Sequence, residues 1–357
     1  MQLPQAPPRS FASDNAAGAH PAVLDAVARA NHGHALAYGD DEWTRACEAS
    51  FRELFGPTAT TLLTFNGTGA NVLALLASVG PAEAVVCSNW AHIATDETGA
   101  PERIVGAKLI DLRTPDGKLR PEQLDEVAGH LLGVAHHAQP GVVSLTQSTE
   151  LGTVYTADEV AALCETAHRH GMTVHLDGAR IANATVALGG DVATLRSFTV
   201  DAGVDVLTFG GTKNGLLGGE AVVFLDEALA RRATYLRKQV TQLPSKMRFI
   251  AAQFSAVLAG GLWLELAASA NRTATALHAA TRDLPGLDLG PPPAVNSVFP
   301  ILPPSLIEPL RAWCFFWDWN PAHHQVRWMT AWDTTLDDVE RFAAGVTAAT
   351  HSLAADN

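Results

Sequence analysis

The 357-residue sequence has few cysteines, and the four that it has are far apart. They form no Cys-x-x-Cys pair, so the sequence offers neither a disulfide framework nor the thiol spacing of a zinc site. The two pairs of adjacent histidines also lack acidic or thiol partners at metal-ligand spacing. We therefore expect reduced, mostly buried thiols and no bound metal. The cysteines are Cys47, Cys87, Cys164 and Cys314.

Basic charge and long apolar runs are also scarce. Lys and Arg number 24 against 37 Asp and Glu, which gives a formal net charge of −13, whereas a nucleic-acid-binding protein needs a basic face. No apolar run reaches the roughly 18 residues of a membrane span. The first ten residues contain several prolines and no apolar segment, unlike a secretory signal. We expect a cytoplasmic protein with no nucleic-acid or membrane partner.

Strand-length apolar runs alternate with segments of helical period through most of the chain. The strands are nearly continuous in apolar character, as strands covered on both faces should be. This β-α alternation predicts an α/β fold with a doubly wound, mostly parallel sheet. Strands are predicted at Ala84–Cys87, Lys108–Leu112, Gly141–Thr146, Thr173–Leu176, Val204–Phe209 and Ala221–Leu225, and helices at Pro121–Leu132, Ala157–His170 and Ala179–Leu188.

The pattern changes near Gly260. A long helical segment, Phe249–Thr281, is followed by a loop rich in Gly and Pro, and then by two strands and two helices. We predict strands at Val295–Pro300 and Gln325–Trp332. This arrangement indicates a large domain with an N-terminal arm, residues 1–259, and a smaller C-terminal α+β domain, residues 260–357.

Two strand-like runs end in residues that suit pyridoxal phosphate (PLP) chemistry. Val174–Leu176 leads into Asp177, and Val204–Phe209 leads through two glycines to Lys213. A lysine can form a Schiff base with the PLP aldehyde, and a carboxylate can keep the pyridine nitrogen protonated so that the ring accepts electrons. Ligands of doubly wound sheets bind at the carboxyl ends of strands. The alternative is a solvated loop lysine and a helix-capping aspartate.

A third run ends in a glycine turn and could supply a phosphate site. Leu62-Leu-Thr-Phe-Asn-Gly-Thr-Gly-Ala-Asn71 passes from an apolar run through Gly67 and Thr68 into a helical stretch. Backbone N–H groups at such a helix start bind phosphate, and Thr68 adds a hydroxyl. A simple turn with a helix cap would have the same sequence.

Further candidates are one histidine, one glutamate and two arginines. His92 follows a predicted strand and could stack on a cofactor ring, with Glu97 about a turn and a half along the same helix. Arg180, three residues after Asp177, and Arg327, within an apolar strand, could bind a carboxylate bidentately. A structural ion pair is the alternative for each arginine, and a surface or core position is the alternative for His92.

With these motifs in hand, the sequence resembles the low-specificity L-threonine aldolases, which are PLP-dependent enzymes of the aspartate-aminotransferase type (type I). The motifs occur in the family's order. They are Phe11–Asn15, Ala37–Asp41, Phe65–Asn71, His92–Glu97, Thr146–Tyr155, Leu176–Arg180, Phe209–Gly215, Ser245–Phe249 and Arg327–Asp333.

The resemblance implies a role for each matching residue. Lys213 would be the Schiff-base lysine, Asp177 the partner of the pyridinium nitrogen and His92 the residue stacked on the ring. Gly67 and Thr68 would bind the phosphate. Ser13, Arg180 and Arg327 would hold the substrate carboxylate, with Arg180 also able to reach the ring oxygen. Lys238 and Arg248 would approach the phosphate of a neighbouring subunit, in a homodimer or homotetramer whose active sites are shared.

The implied reaction is reversible cleavage of threonine and related β-hydroxy-α-amino acids, such as allo-threonine and phenylserine, to glycine and an aldehyde. Many family members place a histidine after the strand that corresponds to Gly141–Thr146, whereas this sequence has none between Thr146 and Tyr155. The base that takes the hydroxyl proton therefore stays open between His92, Glu97 and a water held by them. A PLP-dependent β-eliminating lyase or transaminase is the alternative enzyme, and a non-catalytic protein on the same fold is the other alternative.

Overall fold

The computed structural model describes the backbone of residues 2–355 and the side chains of residues 2–353. Its internal contacts divide the chain into two units. The larger unit is Ala19–Trp263, and the smaller unit combines residues 2–18 with residues 264–355. The predicted division lay at 259/260 and kept the N-terminal arm with the large domain. In the structure the arm packs instead with the C-terminal segment.

The larger unit is built on a mixed sheet that has seven strands within the described residues. The strand order is β1-β7-β6-β5-β4-β2-β3, with β7 antiparallel to both of its neighbours and the remaining adjacent pairs parallel. The predicted α/β class with a mostly parallel sheet is confirmed. The strands are β1 (Thr60–Thr64), β2 (Glu83–Ser88), β3 (Lys108–Leu112), β4 (Gln139–Thr146), β5 (Thr173–Gly178), β6 (Val206–Gly210) and β7 (Glu220–Phe224).

Helices connect these strands and cover the sheet. β4, β5, β6 and β7 are buried along most of their length, which explains why their sequences are continuously apolar rather than alternating. The helices are α1 (Pro21–Ala30), α2 (Glu42–Phe55), α3 (Gly67–Ser78), α4 (His92–Thr95), α5 (Pro121–Leu131), α6 (Ala157–Arg169), α7 (Ile181–Leu188), α8 (Val192–Ser197), α9 (Glu227–Gln239), α10 (Arg248–Leu258) and α11 (Leu262–Thr281). The unit boundary falls inside α11.

The segment predicted as one long helix is broken in the structure. α10 and α11 are separated by a short 3-10 turn, Ala259–Gly261, where Gly260 has φ 66°. A left-handed residue cannot continue an α-helix, and glycine adopts that conformation at little cost. In length and hydropathy, Arg248–Thr281 would suffice to cross a membrane. This is weak evidence for a membrane span, because core helices of soluble proteins meet the same criterion.

The smaller unit has a three-stranded antiparallel sheet in the order β8-β10-β9. Its core includes Phe11 of the N-terminal arm, whose ring centroid lies 4.3 Å from that of Phe342. The Phe11 N–H donates to Phe315 O at 3.1 Å, and the Met329 N–H donates to Phe11 O at 2.9 Å. The arm is therefore an integral part of this unit. The elements are β8 (Ser297–Val298), α12 (Pro304–Trp313), β9 (Trp317–Asn320), β10 (Gln325–Met329) and α13 (Leu336–Ala355).

Candidate active site

The sheet brings the loops after β5 and β6 to the same edge. The two strands run parallel with Asp177 opposite Thr208. Asp177 is the penultimate residue of β5 and the turn that carries Lys213 follows β6, so both residues lie at the carboxyl ends of strands. The loops approach so closely that a Cβ on Gly210 would lie 2.3 Å from Ala179 O. Glycine is therefore required there. Both Asp177 and Lys213 act electrostatically on the His92 ring, which places the three groups in one site.

Asp177 is a buried carboxylate that is held by hydrogen bonds. Its Oδ1 accepts from the Ala179 N–H at 2.9 Å, and its Oδ2 accepts from the Asn71 amide at 2.8 Å. Burial acts to raise the pKa of Asp177, but His175 and these hydrogen bonds outweigh it and hold the pKa below its ordinary value. Burial lowers the pKa of His175 itself to about 4. The hydrogen bonds from Ala179 and Asn71, together with the charge of His92, therefore help to keep Asp177 ionised.

His92 begins α4, and its ring is oriented by Glu97. Its Nδ1 lies 2.9 Å from Glu97 Oε1. An ionised carboxylate can only accept, so Nδ1 carries the proton and Nε2 is left with a lone pair when the ring is neutral. The hydrogen bond to Glu97 raises the pKa of His92, although burial and the charge of Lys213 oppose this. The arrangement makes His92 a stronger base than a free imidazole.

Asn71 joins these two groups, and the sequence did not reveal its role. Its Nδ2 donates to Glu97 Oε1 at 2.9 Å as well as to Asp177 Oδ2 at 2.8 Å. The side chain lies inside α3, is 2% exposed and comes from the same motif as the glycine turn. A single amide therefore connects the Glu97 carboxylate, which orients His92, with the Asp177 carboxylate at the end of β5.

Glu150 is a second residue that sequence reasoning missed. Its Oε1 accepts the backbone N–H of His92 at 2.8 Å, while its Oε2 is buried without a hydrogen-bond partner among the described residues. Burial, together with the nearby charge of Asp177, raises the pKa of Glu150 to about 7. Glu150 lies in the segment where the sequence lacks the histidine of many related enzymes. That departure was the one available signal.

The glycine turn has the geometry of a phosphate site. Asn66 caps α3 by accepting the Gly69 N–H at 2.8 Å, and the turn before the helix is exposed. A Cβ on Gly67 would meet nothing within 4 Å, so open space lies beside the helix start. At Gly69 a Cβ would lie 2.2 Å from the buried amide of Gln242, which packs against the turn. Thr68, between the two glycines, is partly exposed.

The remaining candidates in the larger unit lie at helix ends. Arg180 is the N-cap residue of α7, directly after β5, and is half-buried. Lys238 is exposed near the end of α9, with Nζ 5.0 Å from the ring centroid of Tyr38. Arg248 starts α10 and donates to Gly33 O at 3.3 Å. Lys238 and Arg248 thus both contact the segment of residues 33–38, and their role toward a neighbouring subunit stays a prediction.

Two candidates belong to the smaller unit. Ser13 caps a 3-10 turn, its Oγ accepting the Asn15 N–H at 3.2 Å. Arg327 lies on β10, donates from Nη2 to Ala12 O at 3.4 Å and stacks on Trp319, whose ring centroid is 5.4 Å from its Cζ. The arm and β10 therefore meet where both residues are found. Their role in substrate binding stays a prediction.

The larger-unit residues fit PLP. The buried Asp177 carboxylate is kept ionised, as a partner for a protonated pyridine nitrogen must be. Lys213 follows the adjacent strand, and the start of α3 offers first-turn N–H groups and open space to a phosphate. Within residues 2–355 the structure has no group of three or more His, Cys, Asp or Glu side chains that could hold a metal ion.

Comparison with known proteins gives consistent matches. Residues 10–302 match the beta-eliminating lyase family. Low-specificity L-threonine aldolases from a Pseudomonas species and from Pseudomonas aeruginosa are 42% and 43% identical to the chain, in alignments that cover 95% of this chain and 97% of each relative. A solved threonine aldolase structure from Leishmania major is 32% identical and covers 94% of this chain and 98% of its own, with a TM-score of 0.86.

Proposed function

Because the chain belongs to the beta-eliminating lyase family and, within it, to the low-specificity L-threonine aldolases, we propose that it cleaves the Cα–Cβ bond of β-hydroxy-α-amino acids. L-threonine, L-allo-threonine and phenylserine are the proposed substrates, and glycine and an aldehyde are the products of a reversible reaction. The observation that carries the proposal is the placement of Asp177 and Lys213 at the carboxyl ends of adjacent strands, where both act electrostatically on His92.

The cofactor of this family is PLP, which supplies an aldehyde that binds amines and a ring that takes up the electrons of the broken bond. Lys213 would bind it covalently, Asp177 would hold the proton on its ring nitrogen, and Gly67 and Thr68 would bind its phosphate. Arg180, Arg327 and Ser13 are the proposed ligands of the substrate carboxylate. Holding that carboxylate fixes which bond at Cα stands perpendicular to the ring.

His92 is the proposed acceptor of the β-hydroxyl proton. Glu97 holds the proton on Nδ1, so Nε2 of the neutral ring is free to take a second proton. The imidazolium that forms is stabilised by the Glu97 carboxylate, as the raised pKa of His92 indicates. This arrangement supports His92 rather than Glu97 as the base. Glu97 Oε1 is already engaged by the Asn71 amide and by His92 Nδ1, which fix the carboxylate in place.

A Lys213→Ala variant tests the assignment. We expect it to lose the visible absorbance of lysine-bound PLP and its activity, whereas Lys108→Ala, an exposed lysine on β3, should retain both. Products are then measured with L-threonine: glycine with acetaldehyde means aldol cleavage, whereas ammonia with an α-keto acid means β-elimination. An unchanged absorbance band in Lys213→Ala would contradict the lysine assignment, and keto-acid formation would contradict the reaction.

We further propose a cytoplasmic homodimer or homotetramer. The larger unit exposes apolar side chains on its loops, including Leu36, Tyr38 and Leu217, which supports association with a second copy. The cysteines at the four positions are free and buried, which suits a reducing compartment. Light scattering on the purified protein measures the mass, and a monomer at micromolar concentration would contradict the oligomer. Cell fractionation tests the location.

A further inference from the structure

The Asn71 amide bridges two carboxylates that the mechanism uses for different purposes. Its nitrogen carries two hydrogens, and each can be donated to a different acceptor. One hydrogen bond goes to Glu97 Oε1 at 2.9 Å and the other to Asp177 Oδ2 at 2.8 Å. Asn71, Glu97 and Asp177 are each at most 5% exposed, so solvent does not compete for these contacts.

The two carboxylates would repel each other without this amide. Sharing one nitrogen places their nearest oxygens within about 6 Å, where like charges interact strongly in a poorly screened interior. Each carboxylate has another partner: Asp177 accepts the Ala179 N–H, and Glu97 binds the His92 ring. The amide therefore links the two sides of the site through direct hydrogen bonds.

We propose that Asn71 is a positioning residue that holds Glu97 and Asp177 at a fixed spacing and, through Glu97, orients the His92 ring. Asp177 and His92 are thereby set relative to each other by one rigid helix residue, before any ligand binds. The catalytic consequence rests on the proposed function, whereas the positioning itself does not. A purely structural Asn71 would stabilise α3 without influencing the titration of His92.

The titration of His92 reports the link directly. Four charged or titratable groups act on it: Glu97 on the ring nitrogen, Asp177 from β5, Lys213 from the turn after β6, and Glu150 on its backbone N–H. Removing the amide takes a donor from both carboxylates, so the negative charge facing the imidazole is less compensated. The imidazolium should then persist to higher pH.

We would measure this in the cofactor-free protein by NMR. The Cε1–H resonance of His92, assigned by its loss in His92→Asn, is followed against pH in the wild type, in Asn71→Leu and in a control. We expect the midpoint in Asn71→Leu to rise by about one pH unit. Ser78→Ala is the control, because Ser78 is a buried polar residue of the same helix that bonds locally to Ala74 O. Its His92 midpoint should match the wild type.

A second variant keeps the test decisive if Asn71→Leu does not fold. Asn71→Ala removes both hydrogen bonds and leaves a smaller apolar side chain, so it should raise the midpoint by a similar amount. Both variants should also bind PLP at least tenfold more weakly, because the Asp177 carboxylate loses the hydrogen bond that holds its Oδ2. An unchanged His92 midpoint in a folded Asn71 variant would overturn the proposal. Since no substrate is used, this outcome is independent of whether the enzyme cleaves threonine.

Discussion

At the scale of single residues, the site contains carboxylic acids whose different surroundings give them different pKa values. Asp177 accepts hydrogen bonds from Asn71, Ala179 and Thr208 and has a pKa below its ordinary value. In the described part of the chain, Oε2 of Glu150 is buried without a hydrogen-bond partner, and burial and the charge of Asp177 raise the pKa of Glu150. Surroundings that shift the pKa values of two neighbouring acids in opposite directions give the acids different roles. Asp177 stays charged, and Glu150 can exchange its proton near neutral pH.

Glu150 should make the stability of the protein depend on pH. Burial and the charge of Asp177 raise the pKa of Glu150 to about 7, so the folded state binds the proton more tightly than the unfolded state. The stabilisation that this proton provides is complete below the unfolded pKa and is lost as pH rises through about 7. Glu150→Gln keeps an oxygen for the His92 N–H but does not titrate.

Urea unfolding of the cofactor-free protein measures the effect. We expect the free energy of unfolding of the wild type to fall, relative to that of Glu150→Gln, by on the order of 2 kcal/mol between about pH 5 and about pH 8. Glu126→Gln, an exposed position on α5, should follow the wild type. Parallel curves for wild type and Glu150→Gln would show that Glu150 does not titrate in this range.

The position of Asp177 and Lys213 at one edge of the sheet could be predicted from local pattern, because each lies where an apolar run of strand length ends. Their roles toward a cofactor stay predictions. Asn71 was part of a recognised motif, but its contacts with Glu97 and Asp177 join residues 26 and 106 positions away. Glu150 reaches His92 across 58 positions. Such pairings depend on the register of the folded sheet, which no local pattern specifies.

At the scale of elements, β9 supplies an aromatic face for Arg327. Strand alternation places Trp317 and Trp319 on the same face, and β10 brings Arg327 alongside them. The guanidinium Cζ lies 5.4 Å from the Trp319 ring centroid, and Phe299 packs against the same ring at 5.1 Å. Trp317 is exposed and pairs instead with Phe315. The stacking restricts the orientations that the guanidinium group of Arg327 can adopt.

Loss of this stacking should weaken carboxylate recognition. We expect Trp319→Leu to raise the dissociation constant of glycine for the PLP-loaded enzyme by about threefold to thirtyfold, the range of a partly buried cation–π contact. Trp319→Phe should recover most of the affinity, and Trp317→Leu should leave it unchanged. Spectral titration gives the constants, with ethanolamine as a ligand that lacks the carboxylate. An equal loss for ethanolamine would contradict a role through Arg327.

Two of the failures of element prediction have clear physical reasons. β9 was missed because its aromatic residues follow directly from α12 without a turn motif to mark its start. The segment Phe249–Thr281 was predicted as one helix because its hydrophobic period continues through the glycine pair at 260–261. In the structure Gly260 adopts positive φ and ends the first helix. Periodicity cannot detect a break that is set by one backbone conformation.

At the scale of the whole molecule, the smaller unit is assembled from both ends of the described chain. The backbone N–H of Phe11 donates to Phe315 O, and its backbone oxygen accepts from the Met329 N–H of β10. Its ring packs in the core of this unit, next to Phe342. The sequence suggested an N-terminal arm attached to the large domain, because chain proximity was the only information available. Contacts that span more than 300 residues cannot be inferred from composition or period.

Removing the Phe11 ring should therefore destabilise the smaller unit specifically. The side chain is fully buried, so Phe11→Ala should cost about 3–5 kcal/mol of that unit's free energy of unfolding. Hydrogen exchange measured by mass spectrometry should show lost protection in β8, β9 and β10 and retained protection in β4, β5 and β6. Leu3→Ala, a partly buried position that packs on the same core, should show a smaller loss in the same strands. Equal loss of protection in both sheets would instead mean that the two units unfold together, which would contradict a specific destabilisation of the smaller unit.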